Sequence, residues 1–424
     1  LCRSVSKGSM KIAIVGSGIA GLTAAYRLHT RHQITLFEAS SRLGGHSNTV
    51  TVDLPEGKIS VDTGFIVFND WTYPNFISLM KEIGIKGNAT EMSFSVKDEH
   101  KDFEYNGHTI STLFSQKRNL VRPSFWLMLR DIIRFNREAR ELLESNEDQL
   151  TLGKFLNERR YGSLFCDHYI IPMGAAIWST STEQMLHFPV KYFARFFENH
   201  GLLNVVNRPQ WYTIPGGSHE YVKKLSASFI ENVRLNTPVV GISRKPNFVE
   251  IISRAGKEHF DEVVIACHSD QALQMLQDAT VKEKEILGSI QYQRNEAVLH
   301  KDISLLPNRK KAWASWNYHL DHTQQERVAV TYNMNILQHI QSPPNLLVTL
   351  NRTERIHPDK ILNKIYYDHP VYNKASVKAQ KRHSEISGIN NTHFCGAYWR
   401  NGFHEDGVVS AINILKSFDN KRAS

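Results

Sequence analysis

The chain has 424 residues, 41% of them hydrophobic and 22% charged, with a formal net charge of +9. That balance suits a globular protein with a large core and about two domains. No run of about 18 uncharged apolar residues occurs, so no membrane span is expected. Leu1–Ser9 reads as an expression-vector remnant that adds Arg3 and Lys7 to the charge. With Met10 as the start, a strand begins at once and leaves no room for a signal peptide. The expected location is the cytoplasm, with contact to the inner membrane face left open. The remaining positive excess fits an anionic lipid surface, an acidic substrate or a plain basic surface. No arginine-rich block alternates with aromatics, so no nucleic-acid partner is expected. Cys166, Cys267 and Cys395 form no CxxC pair. Neither a disulfide framework nor a metal site is therefore expected, and Cys267 and Cys395 read as buried thiols.

Lys11 to Val15 forms an apolar strand that runs into Gly16-Ser17-Gly18-Ile19-Ala20-Gly21. A helical pattern follows through Leu28. A second strand, Gln33 to Phe37, ends at Glu38. Strand, glycine turn, helix, strand and acid in this order form a dinucleotide-binding fingerprint. Gly16 permits the turn, Gly18 lets a pyrophosphate approach the backbone, and Gly21 lets the helix pack close. The phosphates belong at the helix N-terminus, beside Ile19 and Ala20, where free N–H groups and the dipole favour an anion. Glu38 can accept both hydroxyls of a ribose, which favours a free 2′-hydroxyl.

Ala39-Ser40-Ser41-Arg42-Leu43-Gly44-Gly45-His46 comes next, then a hairpin-like stretch and Val61-Asp62-Thr63-Gly64-Phe65. Asp62 either closes a turn or approaches a cofactor. Residues 72–204 read as mostly helical. Within them, Leu120 to Leu143 is an amphipathic run that carries Trp126, Leu129, Ile132, Ile133, Phe135 and Leu142 among arginines. It is either a packed helix with a solvated basic face or a surface that leans on a membrane. Pro215-Gly216-Gly217 opens a helix through Tyr221 and Leu225. A strand-rich stretch over Val233–Leu235, Pro238–Ile242, Val249–Ile252 and Glu262–Cys267 reads as a β-meander. Residues 271–388 are mixed. Ala312 to Tyr318, with Trp316, forms an aromatic cluster, followed by Tyr332-Asn333-Met334-Asn335. These build either a core or the wall of an apolar cavity. Thr392 to Tyr398 reads as a strand and Asn401 to Gly407 as a turn. A helix is expected from Val408.

The E-x-x-x-R-x-G-G segment at Glu38–Gly45, the D-x-G at Asp62–Gly64, the Pro-Gly-Gly turn, the Asp261 strand and the C-terminal glycine turn resemble, in that order, the flavin-containing amine oxidase superfamily. That superfamily includes monoamine oxidase, protoporphyrinogen oxidase and phytoene desaturase. The runs around Ala312–Tyr318 and Cys395–Gly407 look like bacterial FAD-binding proteins related to the N-terminal domain of plant cyclopropane fatty acid synthases. The resemblance implies an α/β fold. It has a doubly wound Rossmann-like FAD-binding domain with a β-meander (10–71, 213–270, 389–424) and a discontinuous α+β substrate domain (72–212, 271–388).

It also implies FAD as cofactor. Arg42, Gly44 and Gly45 would sit at the pyrophosphate, with Ala39 and His46 close by. Asp62, Gly64 and Phe65 would lie toward the flavin, and Val239 and Val240 near the adenine. Gly396, Glu405 and Asp406 would flank the flavin, with Gly407 and Val408 at its N1–C2=O edge. His404 to Asp406 could equally be helix caps. Catalytic residues are not assigned, and His404, Tyr318 and Trp316 are the candidates.

Two departures count. No lysine lies within Glu296–His300, where the amine oxidases carry one near flavin N5, although Lys301 follows. Ala397 stands where an acid is common. Cys395 is not expected to be a flavin attachment site. The expected function is an FAD-dependent oxidoreductase passing hydride from a fatty acyl or other lipid chain to the flavin, with a nearby His or Tyr handling the proton. An amine or amino-acid oxidase, and a non-catalytic flavin-binding partner of a lipid-modifying enzyme such as a methyltransferase, are the alternatives.

Overall fold

The computed structural model describes residues 9–420 except 56, 148–149, 179, 321–328 and 342. The proposed vector remnant therefore lies outside the described residues apart from Ser9. Five parallel strands form one sheet: β1 (Lys11–Val15), β2 (Gln33–Phe37), β3 (Val233–Arg234), β4 (Glu262–Ile265) and β5 (Thr392–Phe394). Their order is β3-β2-β1-β4-β5. Ile12, Ala13, Ile14 and Val15 are all buried, as a strand covered on both faces requires. The chain leaves β1 toward β2 on one side, while β4 flanks it on the other, so the carboxyl end of β1 is a switch point. Helix α1 (Ile19–Leu28) starts there.

The meander, the region read as helical and the starts of two helices differ from expectation. The meander is Val239–Arg244, Val249–Ser253 and Gly256–Phe260, a separate antiparallel sheet, whereas Glu262–Ile265 joins the parallel one. Three strands interrupt the region read as helical: Asn88–Thr90, which pairs with Trp211–Thr213, and the longer Phe94–Asp98 and Phe103–Asn106. The longer two escaped notice because Ser95, Lys97, Asp98, Glu104 and Asn106 are buried and internally paired beside Val96, Phe103 and Tyr105, which breaks any clean apolar alternation. His168 lies 2.8 Å from Asp98, and Ser95 donates to Asn317. The longer two complete a seven-stranded sheet with four strands from the 292–350 region and Ile361–Pro370.

Helix α2 (Pro74–Glu82) has no cap from its own N-cap residue, Tyr73. Helix α3 (Pro123–Glu144) begins at Pro123, three residues after Leu120, because proline suits the first helical position and Lys117–Val121 forms its own tight turn. The last helix, α4 (His404–Asn420), starts four residues before Val408, and the preceding strand stops at Phe394. Glu405, Asp406 and Gly407 thus lie in a helical turn rather than a loop. The Glu405 carboxylate accepts from the N–H of Asn75 (3.1 Å), its Nδ2 (2.6 Å) and the N–H of Phe76 (2.8 Å). It caps α2 from across the fold, where the helix dipole favours a negative charge.

Glu405→Ala should lower stability by about 2 kcal/mol, since it leaves buried donors at the start of α2 without a partner. Chemical denaturation of Glu405→Ala and Glu405→Gln measures this, and the glutamine should recover part of the loss.

Candidate functional site

A cavity of about 1060 Å³ opens at the carboxyl end of β1 and extends between the parallel sheet, the seven-stranded sheet and the helical region. Gly16 takes φ +100°, and a side chain at Gly21 would place Cβ 2.0 Å from the Gly16 carbonyl oxygen. At Gly18 an added Cβ would meet nothing within 4 Å, so open space faces the start of α1. The first turn of α1 is buried, and neither a side-chain cap nor an acidic residue serves it. A buried helix end without partners calls for an anion in that space.

Glu38 borders the same space. Its carboxylate accepts from the N–H of Ser17 (3.0 Å) and Ser40 (2.8 Å) and from both serine hydroxyls. Those bonds fill the lone-pair positions of a carboxylate, so a ribose diol would replace the two hydroxyls while the backbone donors hold the acid in place. Arg42 wraps the Gly44-Gly45 turn and donates to the Gly45 carbonyl at 2.9 Å. Gly44 and Gly45 both take positive φ, at 111° and 57°. These features fit the pyrophosphate, ribose and adenine of a dinucleotide.

Gly16, Gly18, Ile19, Ala20, Glu38 and Ala39 line the cavity, as do Arg42, Gly44, Gly45 and His46. Gly64, Phe65, Val239, Val240 and Gly396 join them, together with His404 and Trp316. Gly21, Asp62, Tyr318, Glu405, Asp406, Gly407 and Val408 do not. Gly21 acts through packing. Asp62 is fully buried and accepts from Ser218 N–H (2.8 Å), Ser218 Oγ (2.8 Å) and Thr49 Oγ1 (2.6 Å). It latches its hairpin to the Pro-Gly-Gly turn, where a Cβ on Gly217 would lie 2.5 Å from Thr49. Tyr318 is buried in the seven-stranded sheet. Asp406 accepts from the N–H groups of Asn401 and Phe403. Gly407 donates its N–H to Phe403, and Val408 packs in the core. Because α4 starts early, the residues it brings to the cavity are Phe403 and His404.

His404 stacks on Phe65, with ring centroids 3.5 Å apart, and its Nε2 lies 2.9 Å from Ser47 Oγ and 3.1 Å from Tyr221 OH. Burial pushes its pKa down to about 3, so the ring is neutral and a weak base at pH 7. Cys267 lines the cavity and is only half-buried as a residue, against expectation; burial of its thiol still raises the pKa to about 12. Cys395 is buried.

Sequence reasoning missed most of the far half of the cavity. Phe94, Tyr105, Tyr169, Met173, Ile177, Trp178, Phe196, His200 and Trp211 form its walls, together with Trp316 and Tyr332 from the aromatic stretches read as core or cavity wall. They come from separate stretches with no common motif. Arg208 stands at the rim, exposed, with Nε donating to the Asn204 carbonyl. It also missed the imidazole group of His46, His268 and His369, whose rings lie 5.4 to 5.9 Å from that of His46. No group of residues able to hold a metal ion occurs among the described residues.

A doubly wound sheet, an uncapped helix over open space, an acid at the end of the second strand and an adjoining aromatic chamber define an FAD-dependent oxidoreductase fold. The family model for flavin-containing amine oxidoreductases matches residues 19–297. The chain belongs to that family. AofH of Mycobacterium tuberculosis, assigned as a flavin-containing monoamine oxidase, is 26% identical over 283 residues, 61% of this chain and 57% of AofH. The chain thus spans little more than half the length of that relative. An L-amino-acid oxidase of Pseudechis australis is 55% identical over 40 residues, 9% of this chain and 8% of that protein. Among solved structures, cyclohexylamine oxidase from Brevibacterium oxydans matches with a TM-score of 0.70 and 13% identity, covering 98% of this chain and 100% of that one. A fatty acid isomerase from P. acnes matches with 0.68 and 15%, covering 97% and 99%. At those identities the two structures speak for the fold alone.

Gly21→Ala should cost about 3 kcal/mol through overpacking and should abolish retention of FAD during gel filtration, read from the flavin absorbance. Burial also sets the pH response. The folded pKa values of His200, His300, His319 and His369 fall to about 4, and that of His404 to about 3. Stability from these groups is full above about 6.5 and is lost as pH falls from there toward 4, because the unfolded chain takes up protons first. Asp62 and Asp406, raised to about 6, act in the opposite sense: their contribution is full below the ordinary carboxylate range and is lost as pH rises through 6. The histidines outnumber them, so Tm should be lower at pH 5 than at pH 7 by differential scanning fluorimetry.

Proposed function

We propose that the protein is an FAD-dependent oxidoreductase that oxidises a carbon–hydrogen bond of an acyl lipid. The observation that carries this reading is the chamber beyond the dinucleotide cleft. Its walls are aromatic and aliphatic, and among its described lining residues Arg208 is the one fixed charge, at the rim. An acyl chain buried there gains roughly 0.8 kcal/mol per methylene, and an acidic head would meet the Arg208 guanidinium outside.

The residues have separate tasks. Glu38, Ser17, Ser40, Arg42 and the first turn of α1 would hold the adenosine and pyrophosphate. Bound flavin would supply the two-electron acceptor for the substrate's hydrogen. The aromatic walls exclude water. His404 holds Ser47 and Tyr221 in register and is too weak a base to carry a proton efficiently. His200 stands in the chamber with its Nδ1 2.9 Å from the Phe196 carbonyl, which leaves Nε2 as an acceptor, but burial lowers its pKa to about 4 and it too is a weak base.

Amine oxidation is the second reading, favoured by the family and by the names of AofH and cyclohexylamine oxidase. Against it, no lysine is among the described lining residues, and no carboxylate lines the aromatic chamber to partner an ammonium group. The acids that do border the cavity are Glu38, already bonded to Ser17 and Ser40, and Asp368 on the strand of the histidine group.

The test is anaerobic addition of fatty acids, phospholipids and amines to the FAD-loaded protein, followed at the flavin band near ~450 nm, because the cofactor carries the redox change. Bleaching by acyl lipids and not by amines is expected, and the reverse result sinks the proposal. Inertness toward both classes, with FAD bound, favours a non-catalytic flavin-binding role. Arg208→Gln should raise KM for a free fatty acid about tenfold and leave its methyl ester unaffected, as loss of one exposed charge-assisted contact predicts.

A further inference from the structure

Helix α3 carries two apolar stripes. Phe125, Met128, Ile132, Phe135, Ala139 and Leu142 recur at helical spacing and pack into the core of the helical region. A surface helix needs only that one. Trp126, Leu127 and Ile133 recur on the opposite side and stand in solvent, Ile133 at 64% exposure. The preceding turn extends this second face with Leu120 and Val121, the latter 82% exposed, and Trp126 Nε1 bonds the two segments through the Leu120 carbonyl at 2.9 Å.

Cations border the same face. Arg130 and Arg137 alternate with Leu127 and Ile133 along the helix, and Lys117, Arg118 and Arg122 surround its start. Three of these have acidic neighbours in the fold, Arg118 with Asp102 at 2.8 Å, Arg130 with Asp131 at 3.6 Å and Arg137 with Glu141 at 3.7 Å. Asp131, beside Arg130, is buried on the inner side. No helix among the described residues is long and apolar enough to cross a membrane.

We propose that the outer face of α3 and the turn before it docks on an anionic lipid bilayer. Apolar side chains with a tryptophan among them, alternating with arginines on one helical face, match the acyl-headgroup boundary of such a surface. A second copy of this chain fits less well, because two-fold pairing would set Arg130 and Arg137 against the same charges. The docking face lies next to the cavity rim. Phe114, which follows the rim residues Gly107 and His108, stands 5.6 Å from the Trp126 ring. Arg140 of α3 donates to the Leu203 carbonyl (3.0 Å) and to Asn204 (2.6 Å), at the base of the loop that carries Arg208. Delivery of a lipid from the bilayer to that rim rests on the lipid reading above; the docking itself does not.

The experiment is co-sedimentation of the FAD-loaded protein with phosphatidylcholine vesicles, with and without phosphatidylglycerol, at low and high salt. Wild type should bind the anionic vesicles, and high salt should release it. Leu127→Ser/Ile133→Ser, which leaves the Trp126–Leu120 bond intact, should weaken partitioning by ~10-fold or more, as should Arg130→Gln/Arg137→Gln, with flavin absorbance and Tm unchanged. Failure of wild type to bind at low salt overturns the proposal. So does binding by either double variant equal to wild type. A wild-type dimer on size exclusion that Leu127→Ser/Ile133→Ser converts to a monomer would assign the face to a second copy instead. Vesicle binding without substrate oxidation would leave the docking surface standing and remove the lipid-oxidation reading.

Discussion

The structure depends on one close approach, the packing of two helix starts against each other and against the first strand. Gly21 lets α1 lie on the Gly16 turn, and Gly407 lets α4 lie on α1, where a Cβ would stand 2.7 Å from Ile19. Each contact leaves room for a hydrogen atom and no more. Together they bring the starts of α1 and α4, far apart in the chain, to one side of a single cavity. The N–H end of α1 adds its partial positive charge at that place, whereas the first turn of α4 carries Glu405 and Asp406. The fold thus builds an electropositive anion cradle from backbone, and the only fixed cation it adds there among the cavity-lining residues is Arg42.

Buried carboxylates then tie distant segments to this pair of helices. Glu405, in the first turn of α4, reaches the uncapped start of α2. Asp62 joins the second hairpin to the Pro-Gly-Gly turn, and Asp406 closes the loop before α4. Burial of a carboxylate costs several kcal/mol unless its lone pairs are met, so each marks a geometry the surrounding backbone must keep. All three residues fall inside motifs that resemble cofactor contacts. Their sequence positions reflect service to the architecture of the site rather than a place on its surface.

That distinction explains what could be read from the sequence. The β1–α1–β2 unit was legible because its signals are local: an apolar strand, three glycines at fixed spacing and an acid at the end of the next strand. The start of α4 was misplaced because Glu405 and Asp406 looked like turn residues; Asp406 does bond the adjacent 401–403 loop, but the partners of Glu405, Asn75 and Phe76, lie far back along the chain. The strands at 94–106 were hidden because their buried faces carry Lys97, Asp98 and Glu104, whose partners lie far along the chain. Apart from Trp316 and Tyr332, which stand in aromatic clusters, the chamber walls had no signature, since each contributing residue sits in an ordinary core pattern. Arg208 in particular follows Val205 and Val206 in an exposed loop and is distinguished only by where that loop ends.

The same cavity shows why its histidines do not compete with the helix end as anion-binding groups. His46 lies half-buried on the cavity wall beside His268 and His369, with Arg42 nearby, and desolvation followed by these neighbours pushes its pKa well below the ordinary imidazole value. His369 falls to about 4 for the same reasons, burial first and His268 second. At neutral pH the group is therefore a set of neutral donors and acceptors, and the positive field of the cleft comes from backbone dipoles and a guanidinium, neither of which titrates near pH 7. A dinucleotide cradle of this kind keeps its field constant while reactions nearby move protons. The opposite half of the cavity has neutral aromatic walls and, among its described lining residues, a single fixed charge, Arg208, at its rim.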